Sequence, residues 1–325
     1  MKLKSFACGL FGVAALLAAV GVANAQAYPN RTVKLYVGAV AGGAPDIIAR
    51  MLGEKLSLAL GQPFVVENRP GAGGTVVPGQ VAKMAPDGYN LLVADIAQLV
   101  VAPHLQVDVA YDPLKDFAPV AMVATTPLFI ISNAKTTTIR NRSDLLSQAK
   151  ASPGKLNYGS SGIGSIHHIA MEMFKTSLGL DIVHVPYRGS GQSVPALLGG
   201  DVPLVVATLP TVGTYVQSGQ VHLLAVTSAQ RFQDAPDIPA VSESVKGYDF
   251  ASEIGVIAPA GTPRDVVMRL SAAIKTALEA PEFSARFKVL GTVPTWLGSD
   301  DYMQNIRVNY KKFGDAVKAS GAKSN

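Results

Sequence analysis

The sequence predicts an α/β fold built as two domains, each a mostly parallel sheet flanked by helices. Three features carry that prediction. Short apolar runs alternate with stretches of helical periodicity along nearly the whole chain, which is the rhythm of βα units. Twice an apolar run breaks into glycines and then into a helix start, at Val33–Asp46 and at Leu156–Ser165. The chain has 325 residues, 48% hydrophobic and 16% charged, enough for one large or two medium cores.

The N-terminus stands apart. Lys2 and Lys4 precede an apolar run from Phe6 to Val22, and Ala23-Asn24-Ala25 offers an A-x-A site before Gln26, so residues 1–25 read as a cleaved secretory signal. That run of 17 residues is short for a membrane anchor, and no later stretch reaches 18 apolar residues, so nothing would insert in a membrane after cleavage. The single cysteine, Cys8, falls inside the signal. An exported chain without cysteine excludes disulfides, thiolate zinc sites and cysteine nucleophiles, and suits an oxidising compartment. The formal charge of +5 drops by two with the signal's lysines. The other basic residues are dispersed, without aromatic interleaving, so nucleic acid is not implied as a partner.

Next come a strand over Val33–Val40 and a helix over Pro45–Leu60, with proline and an acid at its start and Gly61 at its end. PFVVEN is a second strand, Arg69–Thr75 a glycine-rich turn, Val77–Met84 a short helix, Pro86-Asp87-Gly88 a turn and Asn90–Ala94 a third strand. Tyr111–Phe117 is a polar connection. Val120–Ser132, apolar around Thr125-Thr126-Pro127, is the first crossing between domains. The second domain repeats the scheme with a helix at Ser143–Lys150, a strand at Leu156–Gly159 and a helix beyond Ser165. A strand at Asp181–Pro186, a helix at Ser193–Leu198 and a strand at Val202–Ala207 follow. A helix at Val212–Gln217, a strand at Val221–Thr227 and a rigid loop at Asp234–Pro239 complete it. Phe250–Pro259 is a strand returning to the first domain, which helices in Pro263–Ala280 and Asp300–Val317 would cover. Domain 1 is then 26–124 with 250–325, domain 2 is 125–249, and two crossings imply a hinged cleft.

The candidate ligand-binding residues lie at the glycine turns. At a helix start the first N–H groups lack intrahelical partners and the peptide dipoles add, so a glycine-opened start can hold a carboxylate. Gly42, Gly43 and Asp46 form one such rim; Ser160, Ser161, Gly164 and Ser165 form the other. Tyr187, Arg188 and Ser190 follow the next strand, at the edge where open α/β sheets bind ligands. Arg188 is the one cation in these loops and can pair bidentately with a carboxylate. Asp95 and Gln98 follow the third strand, and Gln98, Thr208 and Glu253 are candidates for selectivity. Glu253 in the cleft would disfavour extended polyanions. Each residue also has a plain structural use: glycine makes turns, serine and aspartate cap helices, arginine pairs with acids. The residues alone leave both open.

Several chemistries drop out. His167 and His168 are adjacent on a helix, where side chains diverge, and no third ligand spacing accompanies them, so one should pack and one face solvent. GSSGI lacks the second glycine of G-x-S-x-G, GIGSIH and GAGGTV lack the third of G-x-G-x-x-G, and no nucleotide P-loop occurs.

YPNRTVKLYVGAVAGGAPDIIAR, VVENRPGAGG, APDGYNLL, LNYGSSGIGS, VPYRGSG and IAPAGTP together resemble the Bug or TctC-type solute-binding proteins of tripartite tricarboxylate transporters, from Tyr28 to near the C-terminus. The chain departs from the pattern at Ala44-Pro45, at Asn90 and near Glu253. The resemblance implies a periplasmic-binding-protein-like (type II) fold, two α/β domains that close on a small carboxylate, no catalysis and no cofactor. It also implies a periplasmic location and a membrane transporter as partner; the protein is expected to act as a monomer. A secreted hydrolase-like enzyme and a receptor feeding a signalling partner are the alternatives from other classes.

Overall fold

The computed structural model describes residues 28–321 apart from 40, 43, 72–73 and 106–108; the expected signal segment and Gly43 lie outside the described residues. Strand β1 (Val33–Val37) leads into helix α1 (Ala44–Leu60), whose Ile48, Leu52 and Leu56 recur at helical spacing and are fully buried. β2 (Phe64–Asn68), α2 (Val76–Val81) and β3 (Asn90–Asp95) follow, then the short helices α3 (Ile96–Val100) and α4 (Ala102–Leu105). β4 (Phe117–Thr126) and β5 (Leu128–Asn133) are separated by Pro127 alone. The chain continues through α5 (Arg142–Ala151), β6 (Asn157–Ser160), α6 (Ile166–Leu178), β7 (Val183–Pro186) and α7 (Ser190–Gly199). It then forms β8 (Leu204–Thr208), α8 (Leu209–Gln217) and β9 (Val221–Val226). The last elements are β10 (Ser252–Pro259), α9 (Arg264–Leu278), α10 (Pro281–Val289), β11 (Val293–Leu297) and α11 (Ser299–Ser320).

These strands make two sheets, ordered β11-β4-β10-β3-β1-β2 and β7-β6-β8-β5-β9. As the βα rhythm predicts, β1 runs parallel to β2 and β3, and β6 parallel to β7 and β8. The strands that pass between the sheets pair antiparallel: β10 with β3 and β4, and β5 with β8 and β9. Parallel neighbours need a crossover helix; a strand leaving one sheet directly for the other has none. Both sheets are therefore mixed.

The expected apolar crossing of Val120–Ser132 resolves into β4 and β5, broken where Pro127 cannot donate to a ladder. Thr227 ties the two passages together. It is fully buried; its N–H donates to Leu128 O at 2.9 Å and its hydroxyl to Phe250 O at 2.6 Å, while Phe250 N–H donates back at 2.8 Å. α10 and β11 lie outside the expected elements: β11 contains Pro294 and Trp296 and reads poorly as a strand, yet it is an edge strand, where proline is tolerated.

An apolar cluster around Phe129, Leu197 and Val205 fills a face of the second sheet, and others cover both faces of the first. α1, α9 and α10 cover one face with Leu52, Leu270, Ile274 and Phe287, while α3 and α11 cover the other with Val100, Tyr302 and Phe313. α11 also packs on α6, so one apolar cluster joins the two sheets. Each fully buried Leu, Ile or Phe contributes roughly 1.5–3 kcal/mol. Among the described residues no helix is long and apolar enough to cross a membrane.

Candidate functional site

A cavity of about 380 Å³ lies between the sheets. On one side it is walled by Gly38 and Ala39 after β1, Pro45 at the start of α1, and Asp95 and Gln98 after β3; on the other by Ser161, Gly164, Ser165 and His167 at the start of α6. Both walls are carboxyl ends of parallel strands running into helix N-termini, as in open α/β binding sites. Among the described residues no lysine or arginine lines it.

The first rim is built by Asp46, which is almost fully buried. Its carboxylate accepts from Gly42 N–H at 2.9 Å, from Arg50 at 2.9 and 3.1 Å, and from Asn68 Nδ2 at 2.9 Å. Burial works against its charge, but these donors outweigh burial and hold the carboxyl below its ordinary value. Neither Gly42 nor Asp46 lines the cavity, because each engages the other; Asn68 also donates to Ala39 O at 3.1 Å, so the network shapes the wall from behind.

The second rim uses its amides similarly. Gly162 N–H donates to Ser160 Oγ at 3.1 Å and Gly164 N–H to His168 Nδ1 at 3.1 Å. Ser165 caps α6, accepting from His168 N–H at 3.2 Å and donating to Gly162 O at 2.8 Å. Among the described residues the N–H groups of Ile166 and His167, in the first helical turn, have no acceptor and stand at the cavity wall. Ser160 is fully buried, 2.7 Å from His184 Nε2, and so supports the loop from beneath.

Of the sequence-predicted residues, Asp95, Gln98, Ser161, Gly164 and Ser165 line the cavity. Asp95 caps α3: it accepts from Ala97 N–H at 2.9 Å and from Ser252 Oγ at 2.6 Å. Burial pushes its carboxyl up, against those two hydrogen bonds. Tyr187 lies behind the second rim, its ring packed over Gly159. Arg188 is exposed, with its N–H on Gln192 Oε1 at 3.1 Å, and Ser190 opens α7; neither lines the cavity. Thr208, at the end of β8, accepts from Thr211 through its carbonyl and is likewise outside the lining.

Glu253 faces away from the cavity. Ser252 points to Asp95, and side chains alternate along β10, so Glu253 turns under α11, where Asn309 Nδ2 lies 3.3 and 3.4 Å from its oxygens. Burial pushes it up to about 7.

The histidine pair differs from expectation. His168 packs, stacked on His184 with centroids 4.0 Å apart. His167 is not solvated: it is half-buried, lines the cavity, and sits with Nδ1 2.6 Å from Ser161 Oγ. Burial pushes it down to about 4. The available signal was its place one residue inside a rim helix. Among the described residues no group of three or more His, Asp and Glu is arranged to hold a metal ion.

Gly164 closes the gap between walls. Its φ is +76°, and a Cβ there would overlap Leu105 Cδ1 of the opposite wall. Gly164→Ala is therefore expected to strain the loop and hold the walls apart, weakening ligand affinity about tenfold and costing about 1–2 kcal/mol of stability. Calorimetric titration against the wild type checks this; equal affinities would contradict it.

Several known proteins are similar to this chain in sequence or in fold. A UPF0065 protein of Bordetella bronchiseptica is 38% identical over 85% of this chain and 82% of its own. An R. palustris protein solved with adipate superposes with a TM-score of 0.80 at 31% identity, covering 91% of this chain and 99% of that one. The periplasmic binding protein BugD gives 0.77 at 32% identity, covering 92% and 100%. A family model described as the tripartite tricarboxylate transporter family receptor matches residues 48–322, and the chain belongs to that family, whose members are binding proteins rather than enzymes.

Proposed function

We propose that this protein is exported by cleavage of residues 1–25, captures a small carboxylated metabolite in the cavity and delivers it to a tripartite tricarboxylate-type transporter. Two domains, 26–124 with 250–325 and 125–249, rock about Thr126–Leu128 and Phe250–Ser252 to admit and enclose the ligand. The observation that carries this reading is the cavity itself: two helix starts face each other across it, with hydroxyls and free N–H groups and, among the described residues, no lysine or arginine in its walls. Such donors fit one carboxylate and leave the tail to other side chains. The adipate bound by the R. palustris relative supports the ligand class. Ligand favours the closed form by binding it better.

The test is a thermal-shift titration with mono-, di- and tricarboxylates, amino acids and aromatic acids, with each compound assayed for consumption. At 100 times its Kd a true ligand adds about 2.7 kcal/mol of stability, several degrees for a chain of this size. Stabilisation by carboxylates without turnover is expected. A panel that leaves the midpoint unmoved, or any acid consumed catalytically, removes the proposal.

A further inference from the structure

Two amides of the second rim are tied back away from the cavity, and both ties end on one pair of stacked rings. Gly162 N–H donates to Ser160 Oγ at 3.1 Å, and that hydroxyl lies 2.7 Å from His184 Nε2. Gly164 N–H donates to His168 Nδ1 at 3.1 Å. His168, in the first turn of α6, and His184, on β7, stack with centroids 4.0 Å and planes 14° apart. Tyr158 on β6 continues the column, its ring 4.9 Å from that of His184. Its hydroxyl donates to Glu172 Oε1 at 2.6 Å, and the same oxygen accepts from Lys175 Nζ at 2.6 Å. The loop therefore rests on a three-ring column anchored at its far end.

The state of the rings follows from the ties. Gly164 N–H needs a bare nitrogen opposite it, so Nδ1 of His168 carries no proton and the ring's proton is on Nε2. A charged ring would set Nδ1–H against Gly164 N–H and break the tie. Burial opposes that charge: it pushes His168 down, with the Glu172 carboxylate working against it and Lys175 adding to it, and pushes His184 down to about 3. The loop has little stiffness of its own, because Gly162 and Gly164 sit at φ +125° and +76°, where glycine is freest. The ties from behind select one of its shapes.

Resting on the carboxylate reading above, we propose that His168 is a positioning residue of the ligand site. It is not part of the cavity wall; through Gly164 it fixes the loop from Ser161 to Ser165 in the shape that lets the start of α6 take a carboxylate. His184 keeps the ring in place through the stack and supports the loop's other tie through Ser160. A loop ordered before the ligand arrives does not have to be ordered by it, so the effect appears in affinity. The ring thus does two separable things. Its face packs on His184, and its Nδ1 holds the loop. Phenylalanine keeps the first; asparagine keeps the second, because its Oδ1 is as many bonds from Cβ as Nδ1 is.

The experiment compares the purified wild type with His168→Asn and His168→Phe by two measurements. Amide exchange followed by NMR needs no ligand: Gly164 N–H is expected to exchange about tenfold faster or more in His168→Phe and within about threefold of wild type in His168→Asn. Calorimetric titration with succinate, malate and adipate as probes should give the same order, with affinity weaker by about tenfold or more in His168→Phe and within about threefold of wild type in His168→Asn. A histidine that only filled space would be replaced better by the phenylalanine ring, so the order of the two variants separates positioning from packing. Two variants alike in exchange and in affinity overturn the inference, and so does a His168→Phe protein that binds at least as tightly as His168→Asn. A wild-type His168 whose NMR signals place its proton on Nδ1 overturns it even if neither variant folds. Binding of none of these probes, nor of any acid in the wider panel, overturns the reading of the site beneath it, while the exchange measurement still judges the tie.

Discussion

Gly255→Ala is expected to destabilise the protein by about 3 kcal/mol or more, the upper range for forcing a methyl group into a packed core. Gly255 lies on β10, between β3 and β4 in the first sheet, opposite Ala94 and Met122. Its bare backbone is where α11 comes down on the sheet: an alanine Cβ would stand 2.5 Å from Tyr302 Cε1 and overlap the ring's Cζ and hydroxyl. Tyr302 is fully buried, and an aromatic ring has no flexible end to swing aside. The sheet or α11 must shift, and α11 also packs on α6 of the other sheet. Denaturant unfolding should show a lower midpoint at unchanged slope. In a double-mutant cycle, Tyr302→Leu should relieve part of the strain, giving a coupling of about 1 kcal/mol or more. A Gly255→Ala protein within about 0.5 kcal/mol of wild type would show that this contact does not constrain the fold.

Gly255 also shows where the sequence stops speaking. The βα rhythm, both crossings and the two glycine rims are legible because each is a local pattern: apolar runs, a proline break, glycine before a helix start. The close approach of β10 to α11 joins residues 47 positions apart, and IGVIAP reads as any strand. The site divides the same way. Ser161, Gly164 and Ser165 line the cavity because a rim is made by consecutive residues, whereas Gly42 and Asp46 engage one another, which spacing alone does not reveal. Arg188 is a cation beside a rim in sequence, yet the turn after β7 carries it outward to solvent. Adjacency to His168 gives His167 no ligand-holding pattern in the sequence. Its neighbour faces the core against His184, so the divergence of adjacent side chains on a helix is what brings His167 to the cavity.

Glu253→Gln is the second large effect, and it separates stability from ligand choice. Glu253 is half-buried under α11 with Asn309, and the loss of solvent around it outweighs the attraction of Lys312, raising its carboxyl from 4.5 in the unfolded chain to about 7. The native state therefore holds a proton that the unfolded state releases. The associated stability is complete below pH 4.5, declines as the pH rises through about 7, and is gone above it. A shift of that size corresponds to roughly 3 kcal/mol. Glutamine has the same shape and no proton to lose, so the variant should match wild type at pH 4 and exceed it by about 3 kcal/mol at pH 8. His167 and His184, pushed down by burial to about 4 and about 3, give the opposite slope: their contribution is present above pH 6.5 and is lost on acidification. They act equally in both proteins, so the difference between variant and wild type across pH 4–8 isolates Glu253. Because Glu253 turns away from the cavity, the acids bound should be unchanged by the substitution. A stability difference that does not vary with pH would remove the buried-carboxyl account, and an altered ligand profile would return Glu253 to the cavity wall.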